Sequence, residues 1–247
     1  MELFGFEIKR SKSESEKSFV PPHDDGSIES IKAGGYYGTY FDIEGTANSE
    51  TQLIKRYRDI SQMGDVDAAI EDVVNDAIAN LDDEKPVKLN LDNVQQSATV
   101  KKAIVSEFDG VLRMLDFNTR AQDYFRRWYI DGRIFFHKVI DTEKPKEGLK
   151  DVRYVDPRKI RKVREIKKEK DKKSQVTLVK DVQEYFVFDE KGIATNSQLS
   201  YRSEAVNEKA IKVSKDAVTY CTSGLVDQDR NIPLSYLHKA IRPANQL

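Results

Sequence analysis

Residues 125–141 read FRRWYIDGRIFFHKVID, and this stretch predicts a change from helix to strand at Gly132. Before the glycine, aromatic residues such as Tyr124 and Trp128 recur at helical spacing. We interpret Trp128 as a core anchor rather than a platform for a ligand. After the glycine, β-branched and aromatic residues dominate, and apolar side chains fall on both faces of the predicted strand. We therefore expect this strand to be covered on both sides.

The residues before this stretch predict a series of amphipathic helices. One begins near Glu50, Asp65 caps the next, and a short strand follows at residues 87–91. The apolar stripe predicted for the second helix consists of Val66, Ile70, Val73, Ala77 and Leu81. A long helix then begins near Ser97, and Asn118 caps the helix that follows it. We expect the single apolar face of the long helix to be core, and its members are Val100, Ile104, Phe108, Val111 and Leu115.

The residues after this stretch predict strands. Strands are expected at 151–155 and 159–166, and a lysine-rich connector at 167–174. Residues 176–192 indicate strand, turn and strand, with further strands near 210–214 and 217–224. The predicted class is therefore α+β, with helices first and a mostly antiparallel sheet after them.

Three regions are predicted along the chain. Residues 1–46 are rich in Ser, Gly, Glu and Lys without helical or strand periodicity, which indicates a mostly flexible arm that docks through its aromatic residues. Residues 47–232 form the α+β domain. Residues 233–247 begin a helical segment, with Ser235 as a cap and Pro243 in the first turn of a further helix. The chain reads as stopping at the start of that helix.

Composition excludes several classes of protein. The 247 residues carry 41 basic and 42 acidic side chains, and no run of about 18 apolar residues predicts a membrane span. The first twenty residues predict no secretory leader. A single cysteine, Cys221, excludes an internal disulfide framework and favours a reducing compartment.

The near-zero net charge conceals a strong asymmetry. Residues 59–92 hold ten acidic and two basic side chains, whereas residues 144–173 hold fourteen basic and six acidic ones. Such polarity suits contact between copies of one protein or with a partner, and it also suits two solvated faces. Both interpretations stay open.

No motif predicts catalysis. His23, His137 and His238 are isolated from other metal-ligand residues in the sequence, and no nucleophile-elbow, zinc-protease, phosphate-loop or dinucleotide motif occurs. The carboxylates at 67–76 suit the first turns of a helix better than a metal site. We predict no catalytic residue, cofactor site or metal site.

The basic segment 158–173 is the candidate charged interaction surface. Lysine and arginine could contact phosphate there, but the aromatic residues that stack on bases are missing. The candidate residues are Arg158, Lys159, Arg161, Lys162, Arg164, Lys167 and Lys168. We favour a solvated strand and connector over a nucleic-acid groove.

Five strings occur in one order: FRRWYIDGRIFFHKVID, KPKEGLKDVRYVDPRKIRKVREI, VQEYFVFD, TSGLVD and SYLHKAIRPANQL. Together they closely resemble the portal protein, the head–tail connector vertex, of contractile-tailed, myovirus-type bacteriophages. The acidic helix DVDAAIEDVVNDAI is also similar to an early helix of that family. The resemblance covers about residues 53–247, and the first fifty residues match poorly.

The resemblance implies a structural protein without catalytic activity. Family members form a ring of twelve subunits through which double-stranded DNA is packaged and ejected. They nucleate head assembly and contact the major capsid and scaffold proteins, the terminase large subunit and the neck and tail completion proteins. It implies no cofactor and no small-molecule substrate, and it places the protein in the virion, or in the host cytoplasm or at the inner-membrane face during assembly.

The resemblance also implies that residues 47–232 are similar to the wing region, that 233–247 lead into a missing stem, and that terminase-binding and tunnel residues lie outside this sequence. The charge asymmetry would then bring an acidic face of one wing against a basic face of the next. The alternative function is a nucleic-acid-binding module that uses residues 158–173. A metal-dependent nuclease, built from carboxylates that converge in space, is a more distant one.

Overall fold

Helices occupy the first half of the described chain and strands most of the second, which confirms the predicted α+β class. The computed structural model describes residues 2–3, 6–7, 28–33, 43–78, 86–170, 177–190, 192, 210–227 and 232–244. The helices are α1 Ile43–Ile60, α2 Gly64–Ala77, α3 Ala98–Met114, α4 Phe117–Asp131 and α5 Ile241–Ala244. None of the described helices is long and apolar enough to cross a bilayer.

The strands form two main sheets. They are β1 Glu2–Leu3, β2 Phe6–Glu7, β3 Ile28–Ala33, β4 Arg133–Ile140, β5 Leu149–Val155, β6 Ile160–Lys170, β7 Thr177–Phe188, β8 Ile211–Ser214, β9 Val218–Thr222, β10 Val226–Asp227 and β11 Ile232–Pro233. One sheet has the order β3-β6-β7-β8 and the other β5-β4-β9. β1 pairs with β2 and β10 with β11. The pairings in the two main sheets are antiparallel except that of β3 with β6.

Strand β3 lies inside the segment for which the sequence predicts a flexible arm. Residues 28–33 instead pair in parallel with residues 163–168 of β6. The two strands are separated by 135 positions in the register, so no local pattern in the sequence reveals their pairing. Helix α1 also begins earlier than predicted, at Ile43 rather than near Glu50.

Helices α1, α2 and α4 share one apolar core. Its buried members are Tyr57 of α1, Ile70 and Val74 of α2, Ile130 of α4, and Leu237. The buried face of α2 therefore differs from the predicted stripe.

Within that stripe, Val73 is 37% exposed and Ala77 is exposed. The helix turns Val74 inward instead, because Val74 lies one turn beyond Ile70. Leu81 lies outside the described residues. The N-cap of α2 is Met63, not Asp65, since the helix begins at Gly64.

The two main sheets contribute side chains to a second core. Its buried members are Phe135 of β4, Ile160 of β6, Phe186 of β7 and Val218 of β9. Phe135 meets Phe186 edge-on at a centroid distance of 6.1 Å. On its other face, β4 contacts α4, where Tyr124 meets Phe136 at 5.2 Å. The first half of β4 is thus covered on both sides, as predicted.

Helix α3 contradicts the prediction that its apolar stripe is core. None of its residues is buried, and Val100 is 42% exposed and Ile104 37% exposed. The helix packs on α4 and β5 mainly through its second half, and in its first two turns Lys101 is half-buried and donates to the Leu91 carbonyl at 3.0 Å. The helix begins after Ser97, close to the predicted start, and Ser97 is its N-cap, with a side chain that accepts a hydrogen bond from the Val100 N–H.

Three further elements differ from the sequence predictions. Residues 87–91 form no strand, because Asn90 Oδ1 accepts the Asp92 N–H at 2.9 Å and fixes a turn. The N-cap of α4 is Asp116, in a left-handed conformation, rather than Asn118. Strand β6 continues into the predicted connector, and β7 is one strand because a register shift between Lys167 and Lys168 lets the pairing continue.

Gly132 ends α4 as predicted, and it also fixes the path of the C-terminal residues. Its φ angle is +70°, and a Cβ there would lie 2.5 Å from the Leu234 carbonyl oxygen. The adjacent Ser235 hydroxyl donates to the Tyr129 carbonyl and accepts the Leu237 N–H, so Ser235 caps the 3₁₀ helix Tyr236–Ala240 as predicted. The end of α4 and the segment 232–240 are therefore held together by backbone contact.

We expect Gly132→Ala to lower the free energy of unfolding by about 2–5 kcal/mol, because backbone strain and a steric clash with Leu234 add together. Gly224→Ala is the matched control, since Gly224 has φ +79° but a Cβ added there would meet nothing within 4 Å. It should lose only about 1–2 kcal/mol from backbone strain. Urea denaturation measures both, and equal losses would mean that the contact with Leu234 contributes nothing.

Candidate functional site

The predicted basic surface begins on β6, a strand that is largely covered. Arg161 and Arg164 are buried, with side chains 4% exposed, and the Lys162 side chain is 11% exposed. Arg158 and Lys159 lie half-buried in the turn before β6. Lys167 and Lys168 lie in β6 itself, paired with β7. The structure thus places Arg161 and Arg164 in the interior rather than on a surface.

Arg161 belongs to a buried ionic centre, which we define as Glu50, Arg133 and Arg161. The Glu50 carboxylate forms ion pairs with both guanidinium groups. Arg133 also donates to the Pro233 carbonyl, and Arg161 donates to the Thr51 hydroxyl at 3.0 Å. Burial lowers the pKa of Arg161, and the adjacent Glu50 carboxylate opposes that change. The centre joins α1, β4, β6 and β11.

A second ionic cluster lies beside the Asp156–Pro157 turn. Arg58 donates to both oxygens of Asp131, at 2.9 and 2.7 Å, and to Asp156 at 3.3 and 3.4 Å. Arg158 also donates to Asp156, with its shortest bond at 2.8 Å. Burial alone would raise the pKa of Asp156, but the bonds from Arg158 and Arg58 outweigh it and hold that pKa well below its usual range. Burial raises the pKa of Asp131 despite its bonds to Arg58.

Glu184 of β7 forms ion pairs with three further basic side chains of this region. Arg164 donates to it at 2.9 and 3.0 Å, Lys162 lies 3.6 Å away, and Lys215 also donates to it. Burial alone would raise the pKa of Glu184, but the bonds from Lys215 and Arg164 lower it. Four of the predicted surface residues therefore have acidic partners within the chain, which leaves less positive charge for phosphate than the sequence indicates.

The acidic segment behaves differently from the basic one. Asp65, Glu71, Asp72 and Asp76 are exposed on α2, and Asp67 of the same helix forms an ion pair with Arg126. No group of three or more metal-ligating side chains forms among the described residues. Because the carboxylates of α2 are exposed, the outer face of this helix is a candidate surface for electrostatic contact rather than a catalytic or metal-binding site.

The histidines and the cysteine are dispersed. His137 is exposed on β4, His238 Nδ1 lies 2.7 Å from the Tyr57 hydroxyl, and His23 lies outside the described residues. Cys221 is exposed on β9. In the described part of the chain these side chains do not converge on a shared site.

An apolar groove is a concave feature that sequence reasoning missed. It has a volume of about 340 Å³ and lies between the ends of α2 and α3, the face of α4, and strands β4 and β9. Its lining includes Ile78, Leu115, Phe117, Trp128, Phe136 and Cys221. Because these residues come from five separate elements, only their spacing within each element is visible in the sequence.

Trp128 lies at one edge of this groove. Its ring centroid is 5.5 Å from that of Phe125 and 5.5 Å from that of Tyr236. Its indole Nε1 is buried and has no hydrogen-bond partner among the residues that the structure describes. Trp128 is thus half-buried in an aromatic cluster, and its N–H group lacks an acceptor within the described chain.

Comparison with known proteins identifies similar sequences. The family model described as "Bacteriophage T4-like portal protein (Gp20)" matches residues 50–247. The portal protein of Vibrio phage KVP40 is 36% identical over 198 residues, which cover 79% of this chain and 37% of that protein. The portal protein of Salmonella phage ViI is 27% identical over 227 residues, which cover 90% of this chain and 40% of that protein. The chain therefore matches about two fifths of the length of these relatives.

We expect Glu50→Gln to lower the free energy of unfolding by about 3–5 kcal/mol, because it leaves two buried guanidinium groups without a counter-charge. The matched control is Glu147→Gln, which removes exposed ion pairs with Lys144 and Lys150. That control should lose less than about 1 kcal/mol. Chemical denaturation measures both, and a loss for Glu50→Gln as small as that of the control would contradict the proposed strength of the ionic centre.

Proposed function

Since the chain belongs to the bacteriophage T4-like portal protein family, we propose that it is a subunit of the portal vertex through which a phage head takes up and releases double-stranded DNA. The observation that carries this proposal is the continuous match over residues 50–247, together with 36% identity to the KVP40 portal protein. The match includes the described helices from within α1 onward and both cores, so it is not limited to a short motif.

The proposed role is structural. Twelve subunits would form a ring that initiates head assembly with the major capsid and scaffold proteins. The ring would then dock the terminase large subunit and later the neck and tail completion proteins. Residues 47–232 would form a wing-like domain and residues 233–247 the start of the segment leading to the stem. We propose that the subunit has no catalytic activity of its own and resides in the virion, after assembly in the host cytoplasm or at the inner-membrane face.

The charge distribution supports a wing domain whose acidic contact surface is larger than its basic one. The acidic residues of α2 are exposed, whereas Arg158, Arg161, Lys162 and Arg164 have acidic partners inside the chain. We therefore propose that α2 supplies an acidic contact surface, and that the basic half of the contact is smaller than the sequence predicts. Lys159, Lys167 and Lys168 remain candidate residues for it.

The alternative, a nucleic-acid-binding module built on residues 158–173, has less support. A phosphate-binding groove needs cations that are free to displace counter-ions. Arg158 donates to Asp156, and Arg161 is occupied by Glu50 and Thr51.

Immunoelectron microscopy tests the proposed location. Antibodies against the 247-residue chain should label particles of the phage that encodes it at one vertex, where head and tail meet. Antibodies against its major capsid protein are the control and should label the whole head. Label spread over the head, or absent from heads opened to expose the vertex, would contradict the proposal.

Salt-dependent binding to duplex DNA tests the alternative. A surface with six or more phosphate contacts would lose about 10³–10⁵ in affinity between roughly 50 and 200 mM salt. We expect no such steep dependence for the chain, and no weakening in Arg158→Ala/Lys159→Ala relative to Lys55→Ala/Arg56→Ala. Fluorescence anisotropy measures both, and a steep dependence removed only by the first pair of substitutions would favour the alternative.

A further inference from the structure

The first two turns of α3 carry three aliphatic side chains that remain exposed in the described chain. Val100, Ile104 and Val105 are 42%, 37% and 41% exposed, respectively. Residues 98–107 are exposed throughout except for the half-buried Lys101. Aliphatic side chains on an amphipathic helix normally face a partner surface. We call Val100, Ile104 and Val105 the aliphatic knob.

The apolar groove beside Trp128 is the complementary feature. Its volume of about 340 Å³ falls within the range of pockets that bind ligand groups. The side chains that line it are apolar, aromatic or, in the case of Cys221, only weakly polar. A lining of this kind is complementary to aliphatic side chains.

The knob cannot reach the groove of its own chain. Leu115, which follows the C-terminal end of α3, lines the groove, whereas Ile104 lies eleven residues earlier on the same helix. At about 1.5 Å per residue, a straight helix holds them roughly 16 Å apart. A knob that fills such a groove must therefore come from another copy of the chain.

The charges next to the two surfaces are complementary. Lys102 is exposed beside the knob, and Asp116 is exposed between Leu115 and Phe117, both of which line the groove. In a contact between two copies, Lys102 of one copy and Asp116 of the other would supply opposite charges beside the apolar surfaces. This arrangement gives the contact a direction as well as an apolar anchor.

We propose that the aliphatic knob of one subunit inserts into the apolar groove of the next subunit. The contact is heterologous, because different surfaces of the same chain meet, and such contacts generate rings or open chains rather than closed pairs. The proposal rests on the proposed function as a ring subunit and names one contact between neighbours. The patch is an anchor within a larger interface, since stable interfaces bury about 800 Å² on each partner.

Cys221 in the groove wall allows a direct test by cross-linking. The variant Val105→Cys places a thiol on the knob, and a short bis-maleimide should join it to Cys221 of a neighbour. Denaturing gels should then show a ladder of dimers, trimers and larger products, because each chain carries both partners of the contact. Val105→Cys/Cys221→Ser and Ile211→Cys, the latter an exposed site outside both surfaces, are the controls and should give no ladder.

Adding Ile104→Asp to Val105→Cys should reduce the ladder about tenfold, because a desolvated aliphatic anchor is replaced by a charge. Its thermal unfolding should stay unchanged, since Ile104 is exposed. Adding Val73→Asp, an equally exposed valine on α2, is the control and should leave the ladder intact. Products that stop at the dimer, or a cross-link within one chain, would overturn the proposal.

The outcome separates this inference from the proposed function. Vertex labelling without a ladder would overturn the knob-and-groove contact and leave the portal assignment standing. A ladder without vertex labelling would support the contact and overturn the portal assignment.

Discussion

The carboxylate of Glu50 is the charge on which the connection between the helical half and the strand half of this chain depends. It lies between the guanidinium groups of Arg133 and Arg161 and is almost fully removed from water. Two buried cations repel each other unless an anion lies between them, so the three side chains fix one another's positions. Since Glu50 is on α1, Arg133 at the start of β4 and Arg161 at the start of β6, this centre sets the position of the first helix against both sheets.

The same arrangement explains why the charge pattern of the sequence is only partly a surface pattern. The basic segment supplies Arg158, Arg161 and Arg164 to carboxylates that lie elsewhere in the chain, at Asp156, Glu50 and Glu184. The acidic helix α2 keeps most of its carboxylates in solvent. A protein with nearly equal numbers of positive and negative residues can therefore present a predominantly acidic face on one helix, and the contacts open to a neighbouring subunit differ from those suggested by counting residues.

Local chemistry makes part of this structure predictable. The sequence identifies Ser97, Ser235 and Gly132 correctly as a helix start, a cap and a helix end, since a short side chain or a left-handed backbone acts within a few residues. What depends on distant partners is not predictable. The burial of Arg161 requires Glu50, 111 positions earlier in the numbering of the chain, and the only local signal is its place among Ile160, Val163 and Ile166 on a covered strand. The exposed face of α3 carries the periodicity of a core helix, and periodicity alone does not reveal whether the partner surface belongs to the same chain.

The parallel pairing of β3 with β6 also affects the order in which the protein folds. Residues 28–33 leave the ribosome long before residues 163–168 are made, so β3 cannot pair with β6 during most of synthesis. β6 and β7 are neighbours in sequence and can form their hairpin quickly, because the loop that must close between them is short. Until β3 adds to it, the free edge of β6 presents unpaired N–H and C=O groups to other nascent chains. The addition of residues 28–33 would then be the late step that ends this exposure of β6, and the shorter β3 becomes the edge strand of the sheet.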